Sequence, residues 1–148
     1  MASDWPRRID ICPWGDWYAE STATSGAIAR GQDSTCLSGG ILGAGNPTAI
    51  GTYREWKIPL SAGTWALTFI HSKNTFAGIV DVSIDGVVVV DDLDMYNGSS
   101  TRNNVSDTTG ISITTSGVKT LRFEIIGKNA SASHYSLGIQ WITFRRTA

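Results

Sequence analysis

From Thr52 onward apolar and polar positions alternate with a period of two, the signature of strands buried on one face. Thr52 to Leu60 puts Trp56, Ile58 and Leu60 on one face. Ser61-Ala62-Gly63 then turns the chain into Thr64 to Ser72, where Trp65, Leu67 and Phe69 alternate with Thr64, Ala66 and Thr68. Gly78 to Asp92 reads GIVDVSIDGVVVVDD. It predicts a hairpin, because Asp85-Gly86 tolerates the positive φ that a type I′ turn needs at both central positions. Val80, Val82 and Ile84 face inward there. Val87 to Val90 is apolar on both faces, as expected where another layer or a partner covers the sheet.

Leu93 to Asn104 reads as the longest polar loop, followed by a short strand at Gly110 to Thr114 and a turn at Thr115-Ser116-Gly117. Val118 to Gly127 is a strand with Leu121, Phe123 and Ile125 on one face against Arg122 and Glu124. Asn129 to Ser136 is a second polar loop. Leu137 to Arg146 has Ile139 and Trp141 opposite Ile142 and Phe144, a pattern suited to a central strand or to one covered by a partner. Seven or eight strands separated by turn signals, with no helical period, predict an all-β fold: an antiparallel two-sheet, jelly-roll-like sandwich. Residues 1–50 differ. Trp5, Trp14 and Trp17 stand among Pro6, Pro13 and Gly15 without a period, and residues 39–51 are glycine-rich. One domain is expected, with an irregular Trp- and Gly-rich N-terminal arm and first strands over 1–50 and the sandwich core over 51–148.

At 148 residues the chain is long enough to bury a core without disulfides or metal. Twelve Lys and Arg against thirteen Asp and Glu give a net charge of -1, so neither nucleic acid nor an anionic membrane is an expected partner. No apolar run approaches a membrane span, and the start MASDWPRRIDICPW lacks the apolar core of a secretory signal. With Met1 as the start, synthesis and folding are expected in a cytoplasm. Cys12 and Cys36 match no zinc or redox spacing and read as two reduced, partly buried thiols, with a disulfide tying the N-terminal arm to the next loop as the other reading. The sequons at Asn97, Asn104 and Asn129 mark polar loops rather than glycosylation sites.

The sequence shows no catalytic constellation, cofactor motif or metal motif. His71 shares the inward parity of Trp65, Leu67 and Phe69 and reads as structural, and His134 lies in a polar loop. No serine sits in a nucleophile elbow. Asp91, Asp92 and Asp94 offer oxygens to a calcium ion, but the spacing has no ion-loop pattern, and charges at a strand end are ordinarily solvated. Sugar recognition needs aromatic planes beside amides and charged groups. Tyr96, Asn97 and Arg102, with Asn103 and Asn104, supply these in one loop, and Tyr135 with Asn129 and His134 supplies them in another. The same residue types also populate ordinary loops. Six tryptophans are many for this length, and Trp5, Trp14 and Trp17 either fold back on the sandwich or anchor on another chain.

Ala62-Gly63-Thr64 leading into an alternating strand, Val82 to Gly86, Ser116-Gly117 before Leu121-Arg122, Gly127-Lys128-Asn129-Ala130-Ser131 and Ile142 to Thr147 together resemble β-sandwich modules of tailed bacteriophage virion proteins, of the capsid decoration and tail-fibre type. The resemblance covers roughly the last 90 residues, and carbohydrate-binding modules share much of this grammar. It implies a non-enzymatic virion component, oligomeric and in that style trimeric, that contacts other virion proteins and a host surface glycan. It gives the Trp-rich arm the role of attachment device. A lectin-like carbohydrate-binding module is the competing reading of the same residues.

Overall fold

The structure, a computed structural model, describes residues 5–13, 23–24, 28–32, 34–37, 40–44 and 50–148, with backbone alone at 23–24, 28–32 and 40–44. The described residues form eleven strands: β1 (Arg8–Ile11), β2 (Ala23–Thr24), β3 (Ile28–Gln32), β4 (Gly40–Ala44), β5 (Tyr53–Leu60), β6 (Gly63–Lys73), β7 (Ile79–Ile84), β8 (Val87–Asp94), β9 (Thr101–Ile113), β10 (Gly117–Gly127) and β11 (Leu137–Arg146). They pair antiparallel into two sheets. One runs β3-β4-β11-β6-β9, with β1 also on β11; the other runs β2-β5-β10-β7-β8. The all-β antiparallel sandwich expected from the alternation is the observed fold.

The inner faces are the predicted ones. Trp56, Ile58 and Leu60 of β5, Trp65, Leu67 and Phe69 of β6, Val80, Val82 and Ile84 of β7 and Leu121, Phe123 and Ile125 of β10 are all buried in one cluster. The rings interlock edge to face, which suits their quadrupoles: Phe123 meets Trp56 at 5.6 Å and Phe69 at 5.1 Å between centroids. Asp85 and Gly86 take φ of 49° and 81°, as the hairpin turn requires. Asp85 also ties that turn to β10, since its backbone N–H donates to Thr120 O and its Oδ1 accepts from Thr120 N.

Three features differ from the sequence reading. Arg8–Ile11 is not irregular: it pairs with Arg145 to Ile142 of β11, and Ile11 enters the core. Trp5 is half-buried, while Trp14 and Trp17 lie outside the described residues. The polar loop at Leu93 to Asn104 shrinks to Met95–Ser100, because β8 continues to Asp94 and β9 starts at Thr101. Within β9 only Ile111 and Ile113 are apolar and buried, so a single-sequence period could show no more than its end. Finally, Val87 and Val88 are 67% and 47% exposed, while Val89 and Val90 pack on the core. Register shifts between β7 and β8 break the parity of this edge strand, and among the described residues no second layer covers Val87 and Val88.

β11 is central, as its two-faced pattern suggested. It lies between β6 on one side and β4 and then β1 on the other. A bulge between Ile139 and Trp141 leaves the fully buried Gln140 free to bond β9: Asn103 N donates to Gln140 Oε1 at 2.9 Å, and Gln140 Nε2 donates to Asn103 Oδ1 at 2.8 Å. Antiparallel alternation brings the loops β6–β7, β8–β9 and β10–β11 to one end of the sandwich.

Candidate functional site

The loop end is built on backbone hydrogen bonds between segments far apart in sequence. Asn74 N donates to Met95 O at 3.2 Å, Asn97 N donates to Asn74 O at 3.1 Å, and Asn74 and Tyr96 form a parallel bridge. Ser136 N donates to Phe76 O and Gly78 N to Ser136 O, each at 2.8 Å, and Ser133 N donates to Thr75 O at 3.0 Å. The loops carrying Tyr96 and Tyr135 are therefore both stitched to the short β6–β7 connection. Asp94 ties the same ends by its side chain: Oδ1 accepts Tyr96 N at 2.9 Å and Oδ2 accepts Asn129 Nδ2 at 2.8 Å.

On this frame sit Phe76, which is 39% exposed, and the half-buried Tyr96, Asn97, His134 and Tyr135. Phe76 and His134 meet edge to face at 6.4 Å. Lys128 Nζ lies 5.4 Å from the centre of the Tyr135 ring and donates to Ala132 O at 2.8 Å, which holds a cation on one side of that ring. His134 Nδ1 is 2.9 Å from Ser133 Oγ. Arg102 lies on β9 rather than in a loop, half-buried. Tyr96 with Asn97 and Tyr135 with His134 are thus brought to one end of the molecule. Phe76 and Asn74 join them without having been singled out by sequence. Their signal was a polar interruption between two clear strands.

The amides of Asn103 and Asn104 do structural work instead of facing a ligand. Asn103, at φ 62°, accepts from Leu37 N and Gln140 Nε2 and donates to Thr35 O. Asn104 Nδ2 donates to His71 O and Thr101 Oγ1. The polar loop imagined from sequence would have left these groups to solvent; as part of β9 they bind the sheet to its neighbours. His71 is buried as its parity implied, with Nε2 3.0 Å from Ser106 Oγ, and desolvation lowers its pKa from 6.5 to about 4.

Two further polar surfaces lie on the five-stranded sheet. Its outer face has a groove of about 470 Å³ lined by Glu55, Asp81, Ser83, Thr120, Arg122 and Glu124, among others. Arg122 fills much of its chemistry: Nε donates to Glu55 Oε1 at 2.7 Å, Nη1 to Glu124 Oε2 at 3.1 Å, and the guanidinium sits 4.1 Å over the Tyr53 ring. That face of Tyr53 is therefore taken. Near the groove the acidic group differs from the sequence reading. Asp91 and Asp92 share carboxylate oxygens within 4.8 Å with Asp81. Asp94 is committed to Tyr96 and Asn129, and Asp81 Oδ1 accepts Asp92 N at 2.9 Å. Cys12 and Cys36 are both free thiols.

Among solved structures the chain resembles a segment of a Paenibacillus xanthan lyase, at 26% identity and a TM-score of 0.74 over 86% of this chain; that segment is 12% of the lyase's length. It also superposes over nearly the whole length of small modules. A family 35 carbohydrate binding module from Clostridium thermocellum matches at 14% identity over 95% of this chain and 98% of the module, TM-score 0.68. CsCBM6-3 from Clostridium stercorarium, solved in complex with cellobiose, matches at 13% identity over 94% of both chains, TM-score 0.59. At such identity the two modules establish a shared fold. No family model and no curated protein matches the sequence. The jelly-roll part of the resemblance to phage modules is the observed fold, but these neighbours are carbohydrate-binding modules and a lyase, and the virion part gains no support from them.

Proposed function

We propose that this chain is a carbohydrate-binding module, without catalytic activity of its own, whose glycan lies across the loop end of the sandwich. The observation that carries this reading is the stitching of three connections, drawn from both sheets, into one surface presenting Tyr96, Phe76, His134 and Tyr135 together. Sugar rings offer C–H faces that stack on aromatic planes and hydroxyls that need donors and acceptors close by. Tyr96 and Tyr135 supply the planes, and Asn97, His134 and Arg102 the polar partners. Because the backbone between them is already hydrogen-bonded, little ordering entropy is lost on binding. The neighbours of full module length are themselves carbohydrate-binding modules, which supports the same reading over a virion attachment role.

Immobilised oligo- and polysaccharides test it. The protein should bind at least one glycan, and Tyr135→Ala should weaken that binding roughly tenfold, the loss expected for one aromatic stack. Absence of binding to every glycan, or full binding by Tyr135→Ala, would overturn the proposal.

A further inference from the structure

Asn97 is the one asparagine of the chain that precedes a glycine, and the connection between β8 and β9 holds the pair where the two residues can react with each other. Asn97 N donates to Asn74 O at 3.1 Å, so the residue is pinned on its N-terminal side. Its carboxamide folds forward over the peptides that follow: Nδ2 donates to Ser99 O at 3.0 Å and lies 3.5 Å from Ser99 Oγ. Gly98, Ser99 and Ser100 are exposed. The Gly98 N–H donates to no group among the described residues and so meets solvent.

The other described asparagines are held differently. Asn74 Oδ1 accepts from Phe76 N at 2.9 Å, Asn103 Oδ1 from Leu37 N at 2.8 Å and Asn129 Oδ1 from Ser131 N at 3.0 Å, which fixes each carbonyl. Asn104 lies within β9 and is followed by the branched Val105. Asn97 Oδ1 accepts no hydrogen bond among the described residues, so Cγ is open to attack. The approach is open too, because no atom lies within 4 Å of the point where a side chain on residue 98 would begin.

We propose that Asn97-Gly98 is a self-modifying site, at which Asn97 deamidates and so ages the loop-end surface. Hydroxide takes the Gly98 N–H proton, and the amide nitrogen attacks Asn97 Cγ. Nδ2 takes a proton from water and leaves as ammonia, which closes a succinimide ring; because the attack is intramolecular, the nucleophile is already in place. Water then opens the ring. Addition at Cγ restores the ordinary main chain with aspartate at this position, and addition at the Asn97 main-chain carbonyl leaves isoaspartate, in which the chain runs through the former side chain. Water is the only co-reactant. Both products put a carboxylate beside Tyr96 and near Asp94, and both lose the bond from Nδ2 to Ser99 O. Isoaspartate also adds a main-chain carbon between the anchor at Asn74 and Gly98. The chemistry is independent of the loop-end reading, and its effect on glycan binding rests on that reading.

Ageing the full chain in mildly alkaline buffer, with its peptides followed by mass spectrometry, tests it. The Asn97 peptide should gain about one dalton, divided between aspartate and isoaspartate forms, as ammonia is released. The rate should rise with pH, since the deprotonated amide is the nucleophile, and exceed that at Asn74, Asn103, Asn104 and Asn129 by roughly tenfold or more. Gly98 has a φ outside the left-handed region and room for a Cβ, so Gly98→Ala should fold and slow the conversion roughly tenfold. Asn97→Gln, which must close a larger ring, is a second variant expected to slow it. No conversion, conversion no faster than at the other asparagines, or an unchanged rate in both variants would overturn the site. In polysaccharide gels the aged chain should be retarded less than the fresh one, each measured against a sugar-free gel that corrects for the added charge. Equal retardation would overturn the effect on the surface. A fresh chain that no gel retards would refute the loop-end reading, and the masses would still decide the modification.

Discussion

Phe123 lies between Trp56 and Phe69, perpendicular to both rings and fully buried, so Phe123→Ala removes two edge contacts and opens a cavity. Its expected cost is about 3 to 5 kcal/mol in denaturant unfolding. Its neighbour Arg122 lies on the opposite, outer face, as the alternation of this strand implies. Glu55, with only 12% of its side chain exposed, pairs with that guanidinium, so Arg122→Ala should cost about 1 to 2 kcal/mol. Equal costs at the two positions would contradict the assignment of faces. His71 supplies a pH dependence. Its folded pKa of about 4 lies below the unfolded value near 6.5, so between these values the unfolded chain binds more protons. Stability is full above pH 6.5 and falls on acidification toward pH 4, by on the order of 3 kcal/mol in the limit. His71→Gln keeps a hydrogen-bonding group beside Ser106 but cannot titrate, and its unfolding curve should be flatter over that window. Inward positions such as His71 were legible because parity alone decides them. The partners of Arg122 were not, because the Glu55 pairing depends on the register between strands far apart in sequence.

Among elements, β1 and β9 show where reading the sequence stops. β1 has four residues, and its partner β11 lies at the other end of the chain, so no local period announces it. β9 is long but polar, and its inward Asn104 and Ser106 are satisfied by groups of β6. Strands with a local apolar period were found, and strands defined by distant partners were missed. Deletion of residues 1–17 removes β1 together with Ile11, so it should lower stability by about 3 kcal/mol or more in calorimetry. An unchanged thermal midpoint would show that the pairing with β11 contributes nothing.

In the whole molecule, the two loops carrying Tyr96 and Tyr135 were each legible as candidate sugar contacts, but their meeting was not. It follows from strand order, which places β7 and β8 in one sheet and β6, β9 and β11 in the other, with their connections at a common end. The third contributor, Asn74 to Gly78, has little composition of its own to mark it and gains its role from the backbone bonds it makes to both loops. Native electrophoresis through gels containing xylan, glucomannan, hydroxyethyl cellulose or xanthan tests this convergence most directly. The wild-type chain should be retarded in at least one gel, and a folded Tyr96→Ala/Tyr135→Ala variant should migrate there much closer to its position in a sugar-free gel. Free migration of the wild type in every gel, or equal retardation of the double variant, would contradict a glycan site at the loop end.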